Sequence, residues 1–270
     1  MASLPRTAAP HTGCRATASA TRPTPPRPRT PSQARRDLRA MTRLNEGASI
    51  MEAVQMAFAL DADREQVIPM SYEEYLTAFD ETTHAEWANG KAIVFMPPNT
   101  RHQDIIIFLA TLLNLFVKMR RLGKVFVAPV EMKLSPEGSA REPDLLFVAH
   151  EHRARITPQR IAGPADLVVE IISPESAARD RSDKFDEYQQ AGVREYWIVD
   201  PRPGLERVDL WALDEQGKYR PVPAERGVYR STVLPGFWLD SGWLWAEELP
   251  NPLHALAQIA GPDALLGALS

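Results

Sequence analysis

The sequence predicts an α/β domain: a mixed β-sheet flanked by helices, with antiparallel strands toward its C-terminal end. Three observations carry that expectation. An apolar run at 166–172 is followed by a helix-type segment and a second apolar run at 195–200. A strand, helix, strand interval of that kind is a crossover unit, which joins parallel strands. Residues 102–122 place Ile105, Leu109, Leu112, Leu113 and Phe116 at helical spacing. Residues 207–245 alternate apolar and polar side chains between Gly and Pro turns, the pattern of antiparallel strands or of a cover for the sheet.

The elements follow in order. Ser71 and Glu74 have capping-box spacing, in which the serine oxygen takes a free helix amide and the glutamate returns to the serine amide, so a short helix should run to about Phe79. Asn89-Gly90, between Ala85-Glu86-Trp87 and Ile93-Val94-Phe95, signals a hairpin because both residues tolerate positive φ. The helix over 102–122 should end on Gly123 as its cap. Strand-type runs occupy 124–133, 144–148 and 166–172, the last apolar enough to be buried on both faces. Ser173 as cap and Pro174 at the first position should open the next helix, which Gly192 closes. Residues 251–270 suit a short terminal helix or tail.

Composition limits the function. Of 270 residues, 44% are hydrophobic and 24% charged, the balance of a globular chain. The longest apolar stretch, 105–117, is interrupted by Thr111 and Asn114 and falls short of the roughly 20 residues needed to cross a bilayer, so no membrane partner is expected. The single cysteine, Cys14, excludes an intrachain disulfide and thiolate metal clusters, and fits a reducing cytoplasm. The chain holds 31 basic and 35 acidic residues, but nine arginines and only Asp37 and Glu46 lie in the first fifty. Those fifty stand at +7, and the remaining 22 basic and 33 acidic residues leave the body at −11. An acidic body argues against a broad positive surface for nucleic acid, although a local basic groove stays open. Residues 1–50, rich in Pro, Thr, Ala, Ser and Arg, read as a solvated tail, an Arg-rich targeting peptide, or translated sequence ahead of a start at Met41 or Met51. The domain proper is expected over 51–250.

The chemical signal lies in acids at the ends of buried strands. Asp144 opens the apolar run Asp-Leu-Leu-Phe-Val, and Glu170 sits inside Leu-Val-Val-Glu-Ile-Ile, where an unpaired carboxylate is costly to desolvate. Its partner is either a divalent ion held by oxygen ligands or a cation such as Lys184 on the following helix. Each residue alone has an ordinary structural explanation. Asp144 can cap a turn, Glu86 can be a hairpin surface residue, His102 can be a helix cap as easily as a ligand, and Asp180 with Lys184 can be a helix-surface pair.

Taken together, Pro143-Asp144, Val168-Val-Glu-Ile-Ile-Ser-Pro174, then Asp180, Lys184 and Tyr188, then Gly192-Val-Arg-Glu-Tyr-Trp-Ile-Val-Asp-Pro201 resemble the Uma-type restriction endonuclease family of the PD-(D/E)xK nuclease superfamily. Glu86 with Asn89-Gly90, and the stretch from Pro97-Pro98 to His102, match its upstream part, and the resemblance spans about residues 68–250. It implies a restriction-endonuclease-like core that hydrolyses phosphodiester bonds of DNA with a divalent cation, magnesium, or manganese in its place, and no organic cofactor. Carried over by position, it makes Asp144 and Glu170 metal ligands, the Ile171 carbonyl a third, and Glu86 the upstream acid that binds the metal directly or through water.

One position departs from the pattern. Two residues after Glu170, where the superfamily motif has the lysine that positions water and offsets phosphoryl charge, this chain has Ile172. Lys184 is the expected replacement, oriented by Asp180 and accompanied by Tyr188. Two other classes compete: a catalytically idle nuclease fold that binds nucleic acid or a protein partner, and a glycosidase-type pair of acids. Trp211, Trp238, Trp243 and Trp245 suit core and interface anchors rather than a sugar platform, and raise a homodimer as a further hypothesis, useful to a cutter of both strands.

Overall fold

The structure, a computed structural model, describes residues 66–79, 83–95, 99–174 and 176–269. The expected tail or start region at 1–50 lies outside the described residues.

The described part begins with β1 (Gln66–Pro69) and α1 (Tyr72–Ala78), the latter opened by the full capping box of Ser71 and Glu74. A hairpin follows, β2 (Ala85–Ala88) and β3 (Lys91–Val94). Its turn residues Asn89 and Gly90 have φ of 51° and 74°, the paired positive values a two-residue turn of this type requires.

Helix α2 (Thr100–Arg120) starts earlier than its apolar repeat because Asn99 caps it, Oδ1 accepting from the His102 amide at 2.9 Å. Its end corrects the expectation for Gly123. Arg121 takes the left-handed cap (φ 54°), and the Leu122 amide closes onto the Val117 carbonyl at 3.0 Å. Gly123 instead opens the next strand, where a Cβ would lie 2.1 Å from the Val148 carbonyl oxygen. At 21 residues and mean hydropathy 1.3, α2 is by length and composition long enough to cross a membrane, which the interrupted run at 105–117 did not suggest. In this fold Ile105, Leu109, Leu112, Leu113 and Phe116 are buried in the core.

The expected strand at 124–133 is two strands in different sheets, β4 (Gly123–Val127) and β5 (Met132–Lys133). Pro129 lies between them and has no amide hydrogen to continue a ladder. After β6 (Ala140–Arg141) come β7 (Leu145–Ala149), a 3-10 turn, β8 (Ile161–Ala162) and β9 (Leu167–Ile171). The helix expected to open on Ser173 and Pro174 begins at Ala177 and breaks in two, α3 (Ala177–Arg181) and α4 (Asp183–Ala191). At the break the Ser182 hydroxyl donates back to the Ala178 carbonyl at 2.6 Å, a bond that competes with the helix ladder. Gly192 closes α4 in the left-handed region, as expected.

Strand β10 (Glu195–Asp200) pairs in parallel with β9, so the crossover is present. Strands β11 (Arg207–Leu213), β12 (Tyr219–Pro221), β13 (Val228–Arg230) and β14 (Trp238–Asp240) pair antiparallel. The expected strands do not extend to Trp245, because Asp240 caps a short helix, α5 (Ser241–Trp245). Two helices close the chain, α6 (Pro252–Ala260) and α7 (Pro262–Leu269), and Ala255 and Leu256 enter the core beside α2.

The main sheet has the order β12-β11-β10-β9-β7-β4. One face packs Leu145, Phe147, Val169 and Trp197 against α2. The other packs Leu146, Val168, Ile172 and Ile198 against Tyr188 of α4 and against Met132 and Ile161. A second sheet, β1-β3-β2-β6-β5-β8, carries the hairpin that brings Glu86 to the site.

Candidate active site

The site forms where β9 ends, beside the start of β7. These strands are antiparallel with Leu145 opposite Val169, and continuing that register by one residue sets Asp144 opposite Glu170. Opposite residues in such a ladder share a face, so both acids project to the same side. The Ile171 amide donates to Asp144 Oδ2 at 2.7 Å, fixing the aspartate against the strand end.

Lys184 and Tyr188 reach the same face from α4. The Lys184 ammonium lies 2.9 Å from Glu170 Oε1, 2.8 Å from Glu86 Oε1 and 3.5 Å from Asp180 Oδ1, and the Tyr188 hydroxyl donates to Glu170 Oε1 at 2.8 Å. Ile172, at the motif-lysine position, is buried in the apolar cluster with Tyr188 and Tyr196. Lys184 thus approaches Glu170 from a different element.

Glu86 is fully buried on β2. Its Oε1 accepts from Lys184 and from the Glu142 amide at 3.1 Å, and its Oε2 from Arg141 at 2.9 Å. Both oxygens of this expected metal ligand are therefore already engaged. Arg141, buried on β6, also holds Glu187 through two bonds of 2.8 Å. Sequence reasoning passed over Arg141 and Glu142; the available signal was a pair of opposite charges immediately before Pro143-Asp144.

The electrostatics follow from the sharing of one ammonium. Burial favours the neutral acid at both Glu86 and Glu170. At Glu86 the cations Lys184 and Arg141 prevail and hold the carboxyl at about 2. At Glu170 burial together with Asp180 and Asp144 outweighs Lys184, pushing it up to about 8. Burial and the neighbouring Glu86 push Glu142 to about 8 as well. Burial lowers the Lys184 pKa, but the surrounding carboxylates more than reverse this and keep it charged. Asp180 is raised by burial against the pull of Lys184.

These groups line a cleft of about 920 Å³ together with Ile106, Ile107, Val127, Pro129 and Arg179, whose guanidinium carbon lies 4.9 Å from the centre of the Phe95 ring. Among the described residues, the group of three carboxylate or imidazole ligand atoms within 4.8 Å of one another is elsewhere, at Glu151, His152 and Asp166. There Arg194 contacts both acids and His152 Nδ1 lies 2.8 Å from Asp166, so that cluster carries its own cation. In the cleft the Lys184 ammonium stands between Glu86 and Glu170. The donor chemistry at the strand end nevertheless suits a hard ion: the Asp144 carboxylate, the Glu170 carboxylate, whose bonds to Lys184 and Tyr188 both fall on Oε1, and the Ile171 carbonyl.

The sequence model of the Uma2 family, described as "Putative restriction endonuclease", matches residues 71–242. The chain belongs to this family. Every residue of the cleft named above falls within the matched span. A protein of Synechocystis, "Uncharacterized protein sll1609", is 25% identical over 129 residues, which cover 47% of this chain and 72% of that one. Among solved structures, a protein of Anabaena variabilis described as "a putative nuclease belonging to DUF820" superposes with a TM-score of 0.53 at 18% identity, covering 66% of this chain and 98% of the other. The expected restriction-endonuclease-like α/β fold is the fold found, and family membership places the chain among nuclease-like proteins.

Proposed function

We propose that this Uma2 protein is a divalent-metal-dependent endonuclease that hydrolyses phosphodiester bonds in DNA, with magnesium or manganese as the ion. The observation that carries the reading is the Lys184 ammonium, 2.9 Å from Glu170 at the end of β9. It stands on α4 and supplies the cation that Ile172 does not.

Asp144, Glu170 and the Ile171 carbonyl would hold the ion, which when bound supplies Lewis-acid stabilisation to a phosphoryl oxygen. Lys184, itself buried, offsets charge that develops on the non-bridging oxygens. Asp180, one turn before it, and Glu86 aim the ammonium. Glu86 acts through Lys184 rather than on the ion, since Arg141, Lys184 and the Glu142 amide fill both its oxygens. Tyr188 orients Glu170.

Cleavage of supercoiled plasmid with magnesium, manganese or EDTA, beside Asp144→Ala and Lys184→Ala, tests this. Metal-dependent nicking that both substitutions abolish is the expected result. Nicking that survives Lys184→Ala would remove the lysine from the mechanism. Retained DNA binding without cleavage under any metal would favour the idle binding module.

A further inference from the structure

Part of the cleft lining is aliphatic and has no role in the chemistry at the strand end. Ile106, Ile107 and Ala110 of α2 line the cleft together with Val127, the last residue of β4, and Pro129 just beyond it. Ile107 is 62% exposed and Val127 43% exposed, so this surface meets solvent rather than the core. Exposed aliphatic side chains scattered singly need no explanation, whereas several gathered in one cleft mark a surface that something covers.

The aliphatic lining adjoins Asp144 along two elements. On α2, His102 Nε2 lies 3.4 Å from Asp144 Oδ2, and Ile106 follows His102 by four positions, one turn along the same face. Beyond β4, the Ala128 amide donates to the Asp144 carbonyl at 3.1 Å, and Val127 and Pro129 are the chain neighbours of Ala128. A strand with its scissile phosphate at Asp144 therefore has its adjacent bases within reach of these side chains.

The charge of the lining bears on the kind of strand. Among the described residues that line the cleft, Lys184 and Arg179 are the lysine and arginine, against the five acids described above. Lys184 is held among three of those acids, Glu86, Glu170 and Asp180. Between Arg101 and Lys118, α2 carries no lysine or arginine. A duplex presents phosphates on both strands and owes much of its affinity for a protein to the cations that neutralise them, and this lining has no run of cations along which they could lie. An unpaired strand offers what a duplex hides, the faces of its bases, which leave water against apolar side chains whatever the sequence. Gln103 and Thr111, exposed on α2 and lining the same cleft, add an amide and a hydroxyl suited to base edges.

We propose that the substrate is DNA unpaired at the scissile position, with its bases laid on Ile106, Ile107, Ala110, Val127 and Pro129 while its phosphate meets the acids at the end of β9. The inference rests on the reading of this cleft as a metal-dependent nuclease site and names the substrate class of that site.

The test gives the full chain three substrates of one sequence, in Mg2+ and in Mn2+: a single strand, its perfect duplex, and the duplex with a central unpaired bubble. A strand of the same length that lacks bases but keeps its phosphates is added as a competitor, beside an unlabelled ordinary strand. Single strand and bubble should be cut about tenfold or more faster than duplex, with the bubble cut in its unpaired part, and the competitor without bases should inhibit about tenfold or more weakly than the ordinary one. Ile107→Ser, at an exposed position, should raise KM for the single strand about threefold or more and leave kcat within about twofold, the signature of lost binding rather than lost chemistry. Duplex cut as fast as single strand, or equal inhibition by the two competitors, overturns the proposal with native protein alone and leaves the nuclease standing. An unchanged KM in Ile107→Ser overturns the placement of the bases on α2. No metal-dependent cleavage of any of the three substrates removes the nuclease reading and this inference together.

Discussion

Buried carboxylates occupy both ends of the central strands, and they are treated differently. Where β9 and β10 begin, Glu195 is fully buried, yet its oxygens accept from Trp197 Nε1 at 2.6 Å, from the amide and hydroxyl of Thr232 at 2.6 Å each, and from the Val233 amide at 3.2 Å. Asp166 beside it accepts from the Ala149 amide and faces His152 and Arg194. In the cleft where β9 ends, Asp180 Oδ1 and Glu142 Oε2 are buried without a hydrogen bond, and Glu142, Glu170 and Asp180 are held above the ordinary carboxylate range. An acid buried for architecture is given its donors, since an unmet one costs stability. Acids left short of cation are the arrangement expected where function needs a site to receive charge.

The contrast is sharpest in paired substitutions at the cleft. Asp144→Asn should lower cleavage by about a hundredfold or more and remove divalent-ion binding, measured by plasmid nicking and calorimetry. Lys184→Met should lower cleavage comparably while ion binding persists, because removing an ammonium leaves its acids more attractive to a cation. Equal loss of ion binding in both would mean that Lys184 builds the site rather than acts in it.

At the opposite end the effect should fall on stability. Glu195→Ala leaves the Trp197 indole, both Thr232 donors and the Val233 amide without their acceptor, at a cost of roughly 3 kcal/mol by urea denaturation. Its folded fraction should bind ions as the native protein does. Altered affinity would break the division between the two ends.

Acidity distinguishes the ends next. Glu170 and Glu142, raised to about 8 by burial, keep protons in the folded state that the unfolded chain, with its ordinary value of 4.5, has released. Their contribution is full below about 4.5 and is lost as pH climbs through about 8. Glu86, held at about 2 against the same burial by Lys184 and Arg141, contributes the opposite slope only below about 4.5. The melting temperature of ion-free protein should therefore drop by several degrees between pH 6 and 9, and added Mn2+ should stabilise more at pH 9 than at pH 6. A flat profile would contradict the raised acidities. The smallest effect is expected from Arg194→Ala. This side chain is 47% exposed and Asp166 keeps its other partners, so the loss should stay under about 1 kcal/mol.

Much of this molecule was readable along the chain because its determinants are local. The Ser71 capping box, the Asn89-Gly90 turn, the Gly192 cap and the β9–α3–α4–β10 crossover all depend on residues within a few positions of one another, or on the period of an apolar run. Local pattern misled where a distant neighbour intervened. Gly123 looked like a helix cap, and its actual constraint is the Val148 backbone. The run at 124–133 looked like one strand, yet its two parts pair with different sheets.

For the site, the sequence by itself determined which residue types were available: an acid before one buried strand, an acid within the next, and isoleucine where a lysine was expected. Only the tertiary structure decided how they are partnered. It set one ammonium between Glu86 and Glu170, filled Glu86 with Arg141, and laid His102 of α2 against the Ile171 carbonyl. The physical reason is range. Helix caps and turns are settled by hydrogen bonds a few residues long, whereas the charge on a buried carboxylate depends on every cation and acid within several ångströms, and these come from elements up to a hundred positions apart.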